Sequence, residues 1–403
     1  MHKVSVHNNW DPLEEIWLGD TWPANFYDDE TDEVRDAFYQ VTEWTKKDLD
    51  SIQKKFEEFG VIVRRPVIDE SRRDLYTINK NTRILRKPPI CPRDTHGVIG
   101  DKLFVHGDLP PCYEPLYDLY SDHIIRLTAP DFAGCNVVKF GKDVIIDHNF
   151  DNDVSMTKDN RKKRIFRDVA KFEKNTVPLL ADYRLHYSTE GGHMDSCYMP
   201  VKEKLVLTTS HMSGYDQLMP GWKTLGIRSP SYMAEEETMR TKNLFMLPGR
   251  PGRPERLEYI NKWQGNFTGM MDHAPEHFTN YIRLYCKEWI GNYKETYFEV
   301  NVVPIDDKNL ICIDTSGIFD GLFNDLEKNG ITCHIVPWRT RGFWDGGIHC
   351  ITLDVRRKGE IQDYFPDRGE PGLKTVRSEL FNKSSEQFLK EYNEWKLSDD
   401  SWK

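Results

Sequence analysis

The sequence predicts an α/β fold assembled from a repeated strand–strand–helix–strand unit. Three observations predict it. A short apolar strand, a charged or glycine turn and a second strand recur along the chain. One copy runs on into apolar residues at helical spacing and then another strand. The two ends of the chain supply the pieces of a further unit.

In that unit, residues 350–355 form one β-branched strand and residues 15–18 another, with a helix over 32–59 feeding a strand over 61–64. The next hairpin spans 97–105 and turns at Gly100-Asp101. Another spans 137–146 around Gly141-Lys142, and another 198–207 around Glu203-Lys204. The last spans 302–313 and turns at Asp306-Asp307-Lys308; a helix over 319–327 and a strand over 332–336 follow. Repeats of this length imply either a closed ring of similar blades or an array. A ring also removes the exposed edges of short sheets.

No low-complexity linker divides the 403 residues, so residues 1–403 read as one domain. Residues 211–294 interrupt the rhythm and read as an insertion, either a lid or a decorated surface loop. They hold a Pro/Gly-rich loop at 248–254 and a helical stretch at 275–289. Residues 388–392 belong to an amphipathic helix that either covers the core or makes a subunit contact, which leaves a homodimer open. A net charge of −10 disfavours nucleic acid and anionic membranes as partners. Eight scattered cysteines without a CxxC pair, and no apolar signal core or membrane-length stretch, predict free thiols in the cytoplasm.

The chemistry concentrates at the residues that open the hairpins: Asp94, Asn136, Asp195, Asn301 and Cys350. If the units are equivalent, these five side chains converge on one place; Asn and Asp also favour turns for purely local reasons. Cys350 follows Trp344-Asp345-Gly346-Gly347-Ile348-His349. The glycines there are expected to remove bulk beside the sulfur and to allow unusual dihedrals. Cys350 is thus either a presented nucleophile or a buried core thiol. His193 and Asp195 share one face of an extended stretch, as a proton shuttle and its carboxylate neighbour would. Two carboxylates beside a thiol suit a planar guanidinium better than an acyl substrate. No second histidine stands at ligand spacing, so no metal and no cofactor is expected. Two further features stay open: Trp338-Arg339-Thr340-Arg341 is either an acceptor-carboxylate contact or a surface loop, and His273 and His277, four apart, are either ligands or exposed.

These motifs resemble those of the glycine amidinotransferase family of guanidine-modifying enzymes. The resemblance is carried by Asn9-Trp10-Asp11-Pro12, Val61-Ile62-Val63-Arg64-Arg65-Pro66, Pro92-Arg93-Asp94, His193-Met194-Asp195 and Gly347-Ile348-His349-Cys350-Ile351-Thr352-Leu353-Asp354-Val355-Arg356-Arg357. It implies a five-bladed α/β propeller of ββαβ units with pseudo-fivefold symmetry. It implies transfer of an amidino group from a guanidino donor, arginine by default, to an amine acceptor; a guanidino hydrolase and a guanidine-binding propeller without turnover are the alternatives. Catalytic roles fall on Cys350, His193 and Asp195, and the substrate side on Asp94, Arg93, Asn136, Asn301 and Asp131. In the family's register Ala133 stands where an aspartate orients the histidine, leaving Asp131 or Glu190 to replace it.

Overall fold

Turn chemistry sets the first half of each unit. A computed structural model of the chain describes residues 2–30, 32–77, 85–107, 109–127, 133–148, 157–189, 194–208, 218–226, 300–313, 320–340, 344, 346–377 and 383–398. Hairpins join β3 (His96–Ile99) to β4 (Lys102–His106), β6 (Val137–Phe140) to β7 (Asp143–Asp147), and β9 (Tyr198–Lys202) to β10 (Leu205–Thr208). Gly100 at φ 59° and Gly141 at φ 62° turn the first two; the third lacks glycine, and Lys204 takes the left-handed conformation at φ 61°. Between β12 (Val303–Pro304) and β13 (Asn309–Ile313), Asp306 Oδ1 accepts from the backbone of Lys308 and Asn309 at 2.8 and 2.7 Å.

A crossover then returns the chain parallel to the second strand. Helix α1 (Asp32–Glu58) links β1 (Leu13–Leu18) to β2 (Ile62–Arg64), and α2 (Glu114–Leu119) precedes β5 (Ile124–Leu127). Helix α3 (Lys158–Asn175) leads to β8 (Arg184–Ser188), and α4 (Asp320–Lys328) to β14 (Thr332–Val336). Each is amphipathic: α1 buries Phe38, Val41, Leu49, Ile52 and Phe56, and α4 buries Leu322 and Leu326. Strand β15 (Thr352–Arg357) pairs antiparallel with β1, joining the two ends of the chain as the sequence predicts.

Five sheets result, each with a middle strand antiparallel to one neighbour and parallel to the other. The fold is mixed α/β. First strands touch across sheets: β15 against β3, β6 against β9, and β9 against β12. The N-terminal segment bridges three of them, with Ser5 beside Arg356, Val6 beside Gly100 and Asn8 beside Phe140.

Two elements depart from the sequence reading. Strand β11 (Lys223–Gly226) pairs with β10 and completes its unit from inside the predicted insertion; residues 227–294 lie outside the described residues. Strand β16 (Gly372–Arg377) adds a fourth strand beside β8. The C-terminal helix α5 (Ser385–Ser398) lays Phe388 and Tyr392 against Phe166 of α3, with ring centroids 5.3 and 5.7 Å apart. Among the described residues, no helix is long and apolar enough to cross a membrane.

Candidate active site

The residues opening the hairpins lie in tight turns that pack on one another. Short 3₁₀ turns cover Pro92–Asp94, Gly134–Asn136 and Met194–Ser196, just before β3, β6 and β9. Asn301 precedes β12 and Cys350 precedes β15. The first turn touches the second, the second touches the third, and β15 touches the first.

Cys350 is fully buried, and Asn301 builds its cradle. The Asn301 Oδ1 accepts the backbone N–H groups of His349 and Cys350 at 2.9 and 3.1 Å. Its Nδ2 donates to the Cys350 Sγ at 3.1 Å, to the Asp195 carbonyl at 3.3 Å and to the Ser196 Oγ at 3.1 Å. Both glycines before the nucleophile are demanded by close approach. A Cβ on Gly347 would stand 2.4 Å from the Asn301 Oδ1, and one on Gly346 would stand 2.9 Å from the Cys91 Sγ and 3.1 Å from the Cys350 Cβ. Neither is among the positive-φ glycines, so room beside the sulfur, not unusual dihedrals, is what these positions require.

Asp195 lies against the thiol, which donates to its Oδ2 at 3.5 Å. The same oxygen is 2.9 Å from the His349 Nδ1. Burial, with Arg93 adding, lowers the His349 pKa to about 4, so at neutral pH the ring is uncharged and donates its Nδ1–H to the carboxylate. Burial pushes the Cys350 thiol far up, and Asp195, Cys91 and Asp94 push it further. The resting sulfur is therefore a thiol. Cys135 is raised in the same way, by burial and then Asp195 and Asp94.

Arg93 and Asn301, expected on the substrate side, hydrogen-bond within the protein around the nucleophile loop. Arg93 is buried, its Nε donating to the carbonyls of His349 and Thr352 at 3.0 Å each and its Nη2 to Asp354 at 2.6 Å. Asp354 also receives Arg357 at 3.0 Å and stands 3.8 Å from Lys139, and this cationic shell holds its carboxyl well below the usual range despite burial. The pair spans 261 residues of chain, which is why spacing could not reveal it. Asp94 stays partly exposed and pairs with Lys87 at 3.0 Å. Asn136 is buried, and its Oδ1 accepts no hydrogen bond among the described residues. Arg339 forks onto Asp48 of α1, with Nη2 2.8 Å from its Oδ1. His193, Asp131, Glu190, His273, His277 and Arg341 lie outside the described residues. Sequence reasoning gave no role to His349, although its place beside the cysteine in the longest motif was a usable signal. Among the described residues no cluster of three or more His, Cys, Asp or Glu side chains is placed to hold a metal ion.

No protein-family model matches the chain. Curated relatives do. Inosamine-phosphate amidinotransferase 1 of Streptomyces glaucescens is 24% identical over 423 residues, which cover 90% of this chain and 99% of the relative. Mitochondrial glycine amidinotransferase of Xenopus laevis is 24% identical over 397 residues, covering 90% and 85%. Among solved structures, an amidinotransferase from Microseira wollei superposes with a TM-score of 0.55 at 16% identity, over 90% of this chain and 99% of that one. The inosamine-phosphate amidinotransferase of Streptomyces griseus gives 0.53 at 17%, with the same coverage. In sequence the chain is similar to amidinotransferases, and its fold is the one those amidinotransferase structures share.

Proposed function

We propose that this protein is an amidinotransferase that carries the amidino group on Cys350. A guanidino donor binds as a cation between Asp94 and Asp195, through paired charge-assisted hydrogen bonds. Its charge offsets the two carboxylates that keep the sulfur protonated, and the thiol passes its proton to His193. The thiolate attacks the guanidinium carbon. His193, two residues before Asp195, protonates the leaving amine as the C–N bond breaks, and a cationic amidino-thioether remains on Cys350. An acceptor amine, deprotonated by His193, then attacks the same carbon; the C–S bond breaks, and the departing thiolate takes that proton back from His193, restoring the thiol. Asn301 and Arg93 position the nucleophile loop, and Asn136 offers its Oδ1 to a guanidinium N–H. Positioning and charge compensation supply most of the acceleration.

The observation that carries this reading is the Cys350 cradle. A buried sulfur is held between an amide donor at 3.1 Å and a carboxylate at 3.5 Å, in a chain aligned with amidinotransferases over 90% of its length. We also infer that the five units close as a five-bladed α/β propeller with pseudo-fivefold symmetry. The fivefold recurrence of one sheet topology and the contacts between first strands support it. Free thiols at every described cysteine fit a reducing compartment such as the cytoplasm.

Intact-protein mass after incubation with arginine tests the reading. An amidino-sized gain that disappears on adding an amine, and never forms in Cys350→Ala, is the expected result. A ureido product formed without any amine would make the protein a hydrolase. Silence across a panel of guanidino compounds would leave at most a binding protein.

A further inference from the structure

A cavity of about 390 Å³ opens at Cys91 and Asp94, its lining including Arg86, Lys87, Leu109 and Pro110. Cys91 joins it to the reaction centre, since a Cβ on Gly346 would lie 2.9 Å from the Cys91 sulfur and 3.1 Å from the Cys350 Cβ. Leu109 and Pro110 offer an apolar flank to methylenes. The polar end is an ion pair: the Lys87 ammonium sits 3.0 Å from the Asp94 carboxylate, with both side chains part-buried.

A cation arriving at Asp94 therefore meets a cation already in place. A purely cationic ligand displaces the ammonium and leaves it beside a like charge. A ligand that carries an anion a few ångströms from its guanidinium inserts into the pair instead. Its guanidinium faces Asp94, its anion faces Lys87, and one ion pair becomes two. Arg86, whose Nε donates to the Thr77 carbonyl at 3.2 Å, adds a second positive side chain to the lining.

Building on the assignment of Asp94 to the guanidinium, we infer that Lys87 is a specificity residue selecting substrates with an anionic group, carboxylate or phosphate, on the non-reacting side. The ammonium pairs with Asp94 at rest and is handed over to the substrate's own anion on binding.

Calorimetric binding to the Cys350→Ala protein tests this without turnover. The probes are 4-guanidinobutanoate, 2-guanidinoethyl phosphate and n-butylguanidine, which keeps the guanidinium and lacks the anion. At least one anionic probe is expected to bind on the order of 10- to 100-fold more tightly than n-butylguanidine, the size of a charged hydrogen bond. Whichever anion gains identifies carboxylate or phosphate. Adding Lys87→Met should bring the probes to within about twofold of one another. Equal affinity in the Cys350→Ala protein, no binding by any probe, or a preference that survives Lys87→Met would each overturn the inference. Mass spectrometry of the unmutated protein with the same probes separates the two readings. Adducts on Cys350 without anion preference would sink this inference and leave amidino transfer standing; anion preference in binding without any adduct would do the reverse.

Discussion

Removing the Asn301 side chain should uncouple the nucleophile from its support, and the structure sets the size of the effect. Asn301 is fully buried, and its carboxamide makes five contacts, two of them with backbone N–H groups at 2.9 and 3.1 Å. Asn301→Ala orphans both N–H groups in a dry interior, at about 1–3 kcal/mol each. The expected loss is therefore about 2–6 kcal/mol, a large share of the roughly 5–15 kcal/mol that holds a domain together. Asn301→Asp isolates the electrostatic part. It keeps the acceptor for the two N–H groups but replaces the amide donor to the sulfur with a second carboxylate beside Asp195. Its thiol should be harder to ionise than the parent's, whatever happens to stability. Urea unfolding followed by tryptophan fluorescence measures the first quantity, and the pH dependence of Cys350 alkylation by iodoacetamide measures the second. An Asn301→Ala protein within about 0.5 kcal/mol of the parent, together with an unchanged alkylation profile in Asn301→Asp, would refute the cradle.

Gly347→Ala drives a Cβ to 2.4 Å from the Asn301 Oδ1 and should reproduce the Asn301→Ala defect; the two together should cost far less than their sum, because both act on one contact. A double-mutant cycle in urea checks it, and additivity would count against it. Arg93→Lys keeps a charge near Asp354 but loses the fork that reaches two carbonyls, so kcat should fall on the order of 10- to 100-fold while donor KM changes little. A rise in KM alone would return Arg93 to the substrate side. His349 and His96 are buried with pKa values lowered to about 4 and about 3, so the unfolded chain takes up their protons first, from the ordinary value of 6.5 downward. Stability should hold above pH 6.5 and fall as the pH drops toward 4, by on the order of 2 kcal/mol per histidine at pH 5. A urea midpoint that is flat between pH 7 and 5, or a drop undiminished in His349→Asn, would contradict this.

What could be read from the sequence was what is local. Hairpins announce themselves through Gly100, Gly141 and Asp306, and the crossover helices over 32–59 and 319–327 through their apolar spacing. The convergence of the hairpin-opening residues followed from repetition alone. Orientation did not. The protein-internal partners of Asn301 and Arg93 could not be read, because their hydrogen bonds to the nucleophile loop reach 48–49 and 256–261 residues along the chain. Strand β11 was hidden inside an apparent insertion, since Lys223-Thr224-Leu225-Gly226 is short, partly exposed and close to glycine. Strand β16 has the same weakness: its burial is mostly partial, and it is held by pairing with β8 more than by its own pattern.

The thiol's raised pKa looks at first like an argument against a nucleophile, and charge accounting reverses it. Burial and two carboxylates hold Cys350 protonated, while the nearby guanidinium of Arg93 is directed at two carbonyls and Asp354. In the function proposed above, a substrate guanidinium about 4 Å away adds a positive charge beside the sulfur, worth about 4 kcal/mol at an effective dielectric constant near 20, or about three pH units of thiol acidity. In that reading the carboxylates that keep the resting sulfur protonated are the same ones that bind the cation. Reactivity then appears only when a guanidino compound is present, which protects a buried cysteine from adventitious alkylation and oxidation between turnovers. An enzyme with an already ionised thiolate would need a fixed cation aimed at the sulfur. Arg93 is turned instead toward the backbone and Asp354, so the proposed mechanism assigns that part to the substrate.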